Sequence, residues 1–302
     1  MVTSKRNRQS KAAYRKGGGG FGGGAWIAIA VGVAIVILVA LKFALPTPST
    51  KRPALDGKPV AAKVLSDLTS VSTADFAAAG VGGSGTSASP LPVVTTSPAW
   101  RVGGKPIIFY LGAEYCPFCA ATRWSFIVAT SRFGKWSGLE YMNSTANDVY
   151  PLTPTFTFLH ATYASKYVTV QTVEQQGRTM GQPLQSMDAA QNAAANTYDN
   201  VPFVPSSTAG SIPFIDMANR YIWSGSVYNP QVLQGMNWGA IAAAVHSGKG
   251  PVARAILGGA NVLTAGLCVA DGGHPGSVCT SQPIHSLTAK IRAAKPVAAK
   301  AG

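Results

Sequence analysis

Acidic side chains are scarce: the 302 residues hold 11 Asp and Glu against 25 Lys and Arg, for a formal net charge of +14. Charge of either sign is thin, at 12% of residues, while apolar and aromatic residues make up 47%. That balance excludes a solvated, disordered chain and leaves ample material for a core. No internal repeat is visible. A Gly-rich dinucleotide fingerprint and a CxxCH haem-attachment motif are both missing. No cofactor is therefore expected, and any electrons must come from another protein. Cysteine and histidine are few, at four each.

A basic excess raises nucleic acid or an anionic membrane as partner. Its placement decides between them. Residues 1–63 carry eleven bases and one acid, 64–98 two acids, 99–280 ten bases and eight acids, and 281–302 four bases. The excess belongs to the two ends. A nearly neutral middle argues against a nucleic-acid footprint.

From Ala25 to Leu45 the run is apolar or Gly except for Lys42. As a helix, 21 residues span about 30 Å, the thickness of a bilayer core. Six bases precede the run with no acid between them, which favours a cytoplasmic N-terminus. A buried core helix or a cleaved signal peptide would normally be shorter, and the latter would end in a small-x-small site. The reading is one transmembrane helix in the cell membrane, with the bulk of the chain extracytoplasmic. Residues 1–24 form a basic, Gly-rich cytoplasmic tail and 25–45 the anchor in the lipid bilayer. Residues 46–98 are a stalk with short helices between Pro59 and Gly80, where Ser72 is a candidate cap. The folded domain is 99–282, and 283–302 a loosely ordered basic tail.

Within the domain, Ile107 to Leu111 is a short apolar run bounded by Gly112, the signature of a buried strand. Five residues on comes Cys116-Pro117-Phe118-Cys119, opening a helical stripe of Trp124, Ile127 and Val128. Pro117 suits a first helical turn. Unpaired N–H groups and the positive end of a helix stabilise a thiolate at Cys116, and Cys119, one turn later, can close or resolve a disulfide. Two other readings of CPFC compete. A zinc half-site needs a second ligand pair nearby, but Cys268 and Cys279 are separated by ten residues; no metal is expected. A purely structural disulfide in so small a ring is strained and readily reduced.

Strand, turn, CPFC and helix over Ile107 to Val128 resemble the active-site unit of the thioredoxin superfamily. The resemblance implies an α/β, thioredoxin-like fold, preceded by the transmembrane helix. It also implies a cis proline beside the cysteines at the start of a later strand. Ser211-Ile212-Pro213-Phe214-Ile215-Asp216 fits that element, followed by a hairpin bending at Ala218-Asn219. Ile212 and Pro213 are then candidates for holding an extended thiol-bearing partner. Leu139–Asn143 is expected as a second strand. Phe156–Leu159 and Tyr167–Val173 read as an added strand pair within an insertion of about 146–186. Met187–Tyr198 and Trp238–His246 read as helices. Over about residues 58–282 the chain is similar to an uncharacterised prokaryotic family of membrane-anchored, thioredoxin-like proteins known only as a domain of unknown function.

Glu114, two residues before Cys116, is a candidate for proton transfer, against the reading of a solvated or salt-bridged turn residue. Arg123 reads as a surface charge. Val252–Val269 reads as a long helix with Cys268 near its end. A Cys268–Cys279 structural disulfide is the default in an oxidising compartment, against a second redox pair. His274, in the loop between them, reads as solvated. The expected activity is thiol–disulfide exchange with exported thiol-containing proteins through Cys116 and Cys119. It would be served by a membrane or extracytoplasmic electron-transfer partner. A non-enzymatic thioredoxin-like scaffold with structural disulfides is the alternative. Direction of exchange is not legible from the dipeptide.

Overall fold

A computed structural model describes residues 54–82 and 91–298. The anchor at 25–45, the leader at 1–24 and Lys300 lie outside those residues. The architecture is mixed α/β, with a six-stranded sheet, two small two-stranded sheets and eight α-helices among the described residues.

The central strand is β3 (Lys105–Gly112). Ile108 and Tyr110 enter one core cluster, while Ile107, Phe109 and Leu111 enter a second. Successive side chains point to opposite faces, and both faces are covered, so the strand reads as an unbroken apolar run. Along one side β8 (Thr169–Glu174) pairs in parallel, from Ile107↔Thr169 to Gly112↔Glu174. On the other side β9 (Phe214–Met217) pairs antiparallel, followed by β10 (Tyr221–Ser224) and the short β1 (Val93–Val94). β2 (Arg101–Val102) folds back on the start of β3. The hairpin bends where expected, with Ala218 and Asn219 at φ 62° and 58°.

β8 corrects two expectations. The segment Tyr167–Val173 does not pair with Phe156–Leu159, and it is no peripheral addition. It is the parallel neighbour of the central strand and lies inside the range expected as an insertion. Its polar residues, Thr169, Gln171 and Thr172, hide it, because one flank of this edge strand is only partly covered. The strand near Phe156, β6 (Pro154–Thr157), pairs instead with β5 (Glu140–Asn143). A second small sheet joins β4 (Gly134–Ser137) to β7 (Thr162–Ser165).

Helix α3 (Pro117–Ser131) follows β3 and packs against α6 (Gly250–Asp271). Helix α4 (Ala189–Tyr198) serves the opposite core cluster through Ala194, Ala195 and Tyr198. Its start is a capping box between Asp188 and Gln191, two bonds that satisfy orphan N–H groups at the helix end. By length and composition alone α6 could cross a membrane, yet most of it is buried within the fold. It is the core helix, packed by α3, α2 (Thr73–Ala79), α5 (Trp238–Ser247) and α8 (Ile284–Ala293).

Two end segments depart from expectation. The region read as a stalk contributes α1 (Ala62–Thr69) and α2 to the core, with Val64, Leu68, Phe76 and Ala79 buried. Ser72 caps α2 by accepting the Asp75 N–H at 3.1 Å. The Asn261 amide of α6 donates to the Phe76 and Gly80 carbonyls at 2.7 and 2.8 Å. The segment read as a basic tail forms α8, which seats Ile284, Leu287 and Ile291 in the core. That spacing marks one helix face, diluted in sequence by alanines and bases.

Helix α6 approaches the Gly82 turn backbone to backbone. A Cβ at Gly258 would overlap backbone atoms of Val81 and Gly82, and Gly82 itself has φ +76°. Neither chain can retreat cheaply. Gly258→Ala is therefore expected to lower stability by about 1–3 kcal/mol despite the better helix propensity of alanine. A urea midpoint equal to or above wild type would show that the contact yields.

Candidate functional site

Cys116 is the N-cap of α3, with Pro117 at the first helical position. Its Sγ accepts the Cys119 N–H at 3.2 Å and lies 4.0 Å from the Ile212 carbonyl oxygen. The strand ends at Gly112, and the turn 113–115 carries the chain to the helix. That turn is anchored by Glu114 N–H to the Gln176 carbonyl and Tyr115 N–H to the Gly177 carbonyl, at 2.9 and 3.0 Å. Both cysteines are free thiols, 4% and 0% exposed. They form a small apolar cluster with Ala113, and Tyr115, Phe118 and Ile212 pack against it. Phe118 in turn meets Tyr150 edge to face, centroids 5.8 Å apart.

The Ile212–Pro213 peptide bond is cis, as expected. Ile212 packs on both the cysteine cluster and the core beneath α4. The loop before β9 thus brings a backbone carbonyl to the sulfur from a point 96 residues along the chain.

Electrostatics separate the two thiols. Burial pushes Cys116 up, but the Cys119 thiol and N–H, the Arg123 charge and the Phe118 N–H outweigh it, and the net direction is down. Burial pushes Cys119 well up, and donation to Cys116 and the negative charge there push further. Cys116 is thus the more acidic of the two thiols. That asymmetry is the one expected of an attacking and a resolving cysteine.

Glu114 takes another direction. It is 9% exposed, and its Oε1 accepts the Thr157 hydroxyl at 2.8 Å. It lines a cavity of about 200 Å³ with Glu140, Tyr141, Thr157 and Arg178. Neither sulfur is among its hydrogen-bond partners.

Arg123 corrects the sequence reading outright. It is 0% exposed, not a surface charge. Its Nε and Nη2 grip Glu174 Oε1 and Oε2 at 2.9 and 2.5 Å, and Nη2 also donates to the Ala113 carbonyl at 2.9 Å. The signal was present. Cys116, Cys119 and Arg123 fall at i, i+3 and i+7 of one helix, hence on one face, and that face points inward. Glu174 closes the expected strand one residue beyond its predicted end. Tyr110 of β3 completes the surroundings, its hydroxyl buried without a partner among the described residues.

Cys268 and Cys279 form a disulfide joining the end of α6 to α7 (Gly276–Cys279). His274 is exposed in the intervening loop, as read. Among the described residues no three His, Cys, Asp or Glu gather in a group that could hold a metal.

The family described as Domain of unknown function (DUF929) matches residues 95–269, which include both cysteines of CPFC, Arg123, Glu174 and Pro213. No curated protein and no solved structure matches the chain.

Proposed function

We propose that the chain, which belongs to the DUF929 family, is a membrane-anchored, thioredoxin-like thiol–disulfide oxidoreductase acting on exported proteins. The observation that carries this reading is the Cys116 sulfur. It caps a helix, accepts the Cys119 N–H and faces the Ile212 carbonyl, with its pKa lowered and that of Cys119 raised. Further support comes from the central strand flanked by a parallel and an antiparallel neighbour, the latter opening just after Ile212, whose carbonyl faces the Cys116 sulfur.

The exchange proceeds in two steps. The Cys116 thiolate attacks one sulfur of a client disulfide; a Cys116–client bond forms, the client bond breaks, and the released client thiolate takes a proton from solvent. Cys119 then gives up its proton and attacks Cys116 Sγ. A Cys116–Cys119 bond forms, the mixed disulfide breaks, and the second client thiolate leaves. The client gains two electrons and the dithiol loses two. The same steps reversed oxidise a client dithiol, and an extracytoplasmic or membrane electron-transfer partner resets the pair.

Cys119→Ala removes the resolving thiol and leaves Cys116 in place. It is expected to accumulate disulfide-linked adducts with exported proteins that dithiothreitol releases, while Cys116→Ala accumulates none. In the wild type, Cys116 should alkylate at pH 6 at least about tenfold faster than glutathione, because a lowered pKa raises the thiolate fraction. Cysteines that react only in denaturant would instead support a scaffold with inert thiols.

A further inference from the structure

The interior behind the cysteines holds an arrangement that thiol exchange does not by itself require. Arg123 and Glu174 are both fully buried and joined by two hydrogen bonds. Arg123 leaves the same helix face as the cysteines and reaches back to the Ala113 carbonyl. The Cys116 N–H lies on that same carbonyl, at 3.3 Å. Glu174 stands at the end of β8, its N–H donating to Gln185 Oε1 at 2.8 Å. From there the chain runs into Gln176 and Gly177, whose carbonyls hold the Glu114 and Tyr115 N–H groups. One guanidinium therefore ties helix, turn and parallel strand together at the point where the dithiol is displayed. The third guanidinium nitrogen, Nη1, is buried without a partner among the described residues.

We propose that the Arg123–Glu174 pair is a positioning element of the dithiol site, in which Arg123 fixes the turn before Cys116 and supplies positive charge behind both sulfurs while Glu174 moderates that charge. The inference rests on the oxidoreductase reading and adds to it the residues that set thiol reactivity. Burying a pair at this depth is costly, and an apolar pair of similar volume would serve stability as well or better. A role in tuning the thiols explains what packing alone does not. Tyr110 of β3, Tyr115 of the turn and Cys119 of α3 are the other titratable groups that feel Cys116 or Arg123, while the buried Glu114 of the turn acts on Glu174 and Asp148 on Tyr115. Both tyrosines are pushed up by burial and stay neutral near pH 7, so the ion pair is the positive charge nearest the thiols on this face.

The test is the pH dependence of Cys116 alkylation by iodoacetamide in the full-length chain, followed by mass spectrometry. Glu174→Gln keeps the shape and removes the moderating negative charge. It should shift the reactivity midpoint down by about one pH unit, an approximately tenfold faster reaction just below that midpoint. Arg123→Gln removes the positive charge behind the sulfurs whether Glu174 then keeps or gains its proton, so its midpoint should move up. Arg123→Lys keeps the charge but loses the fork, and should leave the midpoint near wild type. Shifts of opposite sign are the signature of charge; a scaffolding role would move both variants the same way or neither. Parallel shifts, or unchanged midpoints, overturn the proposal. Should Arg123→Gln fail to fold, Glu174→Gln and Arg123→Lys still decide it by the sign of one and the constancy of the other. A wild-type Cys116 that alkylates no faster than glutathione would overturn the oxidoreductase reading, and with it the tuning role. A reactive wild type with insensitive variants overturns only the latter.

Discussion

Arg123→Met is expected to destabilise the protein by about 3–5 kcal/mol, a drop of about 10 °C in Tm for a fold of this size. Methionine replaces most of the volume, so little of the loss comes from a cavity. The loss comes from Glu174, 0% exposed and then without its counter-charge. Burial already pushes that carboxyl up, and the Arg123 charge is the main influence holding it down. In the variant its folded-state pKa climbs further above the unfolded value. The sign follows: the folded variant binds a proton that the unfolded chain has released. Its stability is therefore greatest below the unfolded carboxyl pKa and is lost as pH rises through the folded one. The deficit against wild type should be largest near pH 8 and shrink toward pH 5. Arg123→Met/Glu174→Met removes both charges and should recover most of the loss. Urea unfolding at the two pH values reads all three outcomes. A single variant within 1 kcal/mol of wild type at pH 8 would mean that water reaches the pair.

What could be read from the chain followed from how strongly each segment constrains itself. Ile107 to Leu111 is buried on both faces and can hardly be anything but a central strand. The CPFC tetrad announces a helix start because proline tolerates only the first turn of a helix interior. The 211–216 segment followed from the resemblance, which implies a proline at the start of a later strand, and the Ala218-Asn219 bend followed from it. β8 was assigned to the wrong place because its pairing is with residues some 60 positions away, and Thr169, Gln171 and Thr172 give no apolar alternation. Arg123 was misread for a related reason. A lone arginine on a helix is a surface residue by composition, and only the later strand that ends in Glu174 makes an interior place for it. The segments 62–79 and 284–293 looked dispensable at the ends of the domain, yet their apolar faces close the core around α6. Distance along the chain, not weakness of the contact, concealed each of these.

The second large effect concerns Asp216. It lies in the middle of β9, 0% exposed, with Oδ1 accepting the Asn219 N–H at 2.6 Å and Oδ2 without a partner among the described residues. Burial pushes its carboxyl up to about 7 from an ordinary 3.8, against the pull of the Asn219 N–H. Between those two values the folded state holds a proton that the unfolded chain gives up. Stability from this group is full below about pH 4 and falls as pH rises toward 7, with little further change above. Asp199, raised to about 7 by burial despite the Ser224 hydroxyl, works in the same direction, so the wild-type profile alone cannot assign the effect. The difference between wild type and Asp216→Asn can. Asparagine keeps an oxygen for the Asn219 N–H and never ionises. The variant should match wild type or fall slightly below it at pH 4, then gain on it by about 3–5 kcal/mol by pH 8. Guanidinium unfolding of both proteins across that range measures the gap; parallel curves would mean that Asp216 titrates normally. The Asp216–Asn219 bond pins the bend of the hairpin, and the same strand begins just after Ile212-Pro213. Ionisation strengthens that bond and puts its cost on the unpartnered Oδ2, so the bend keeps its anchor while the fold loses stability.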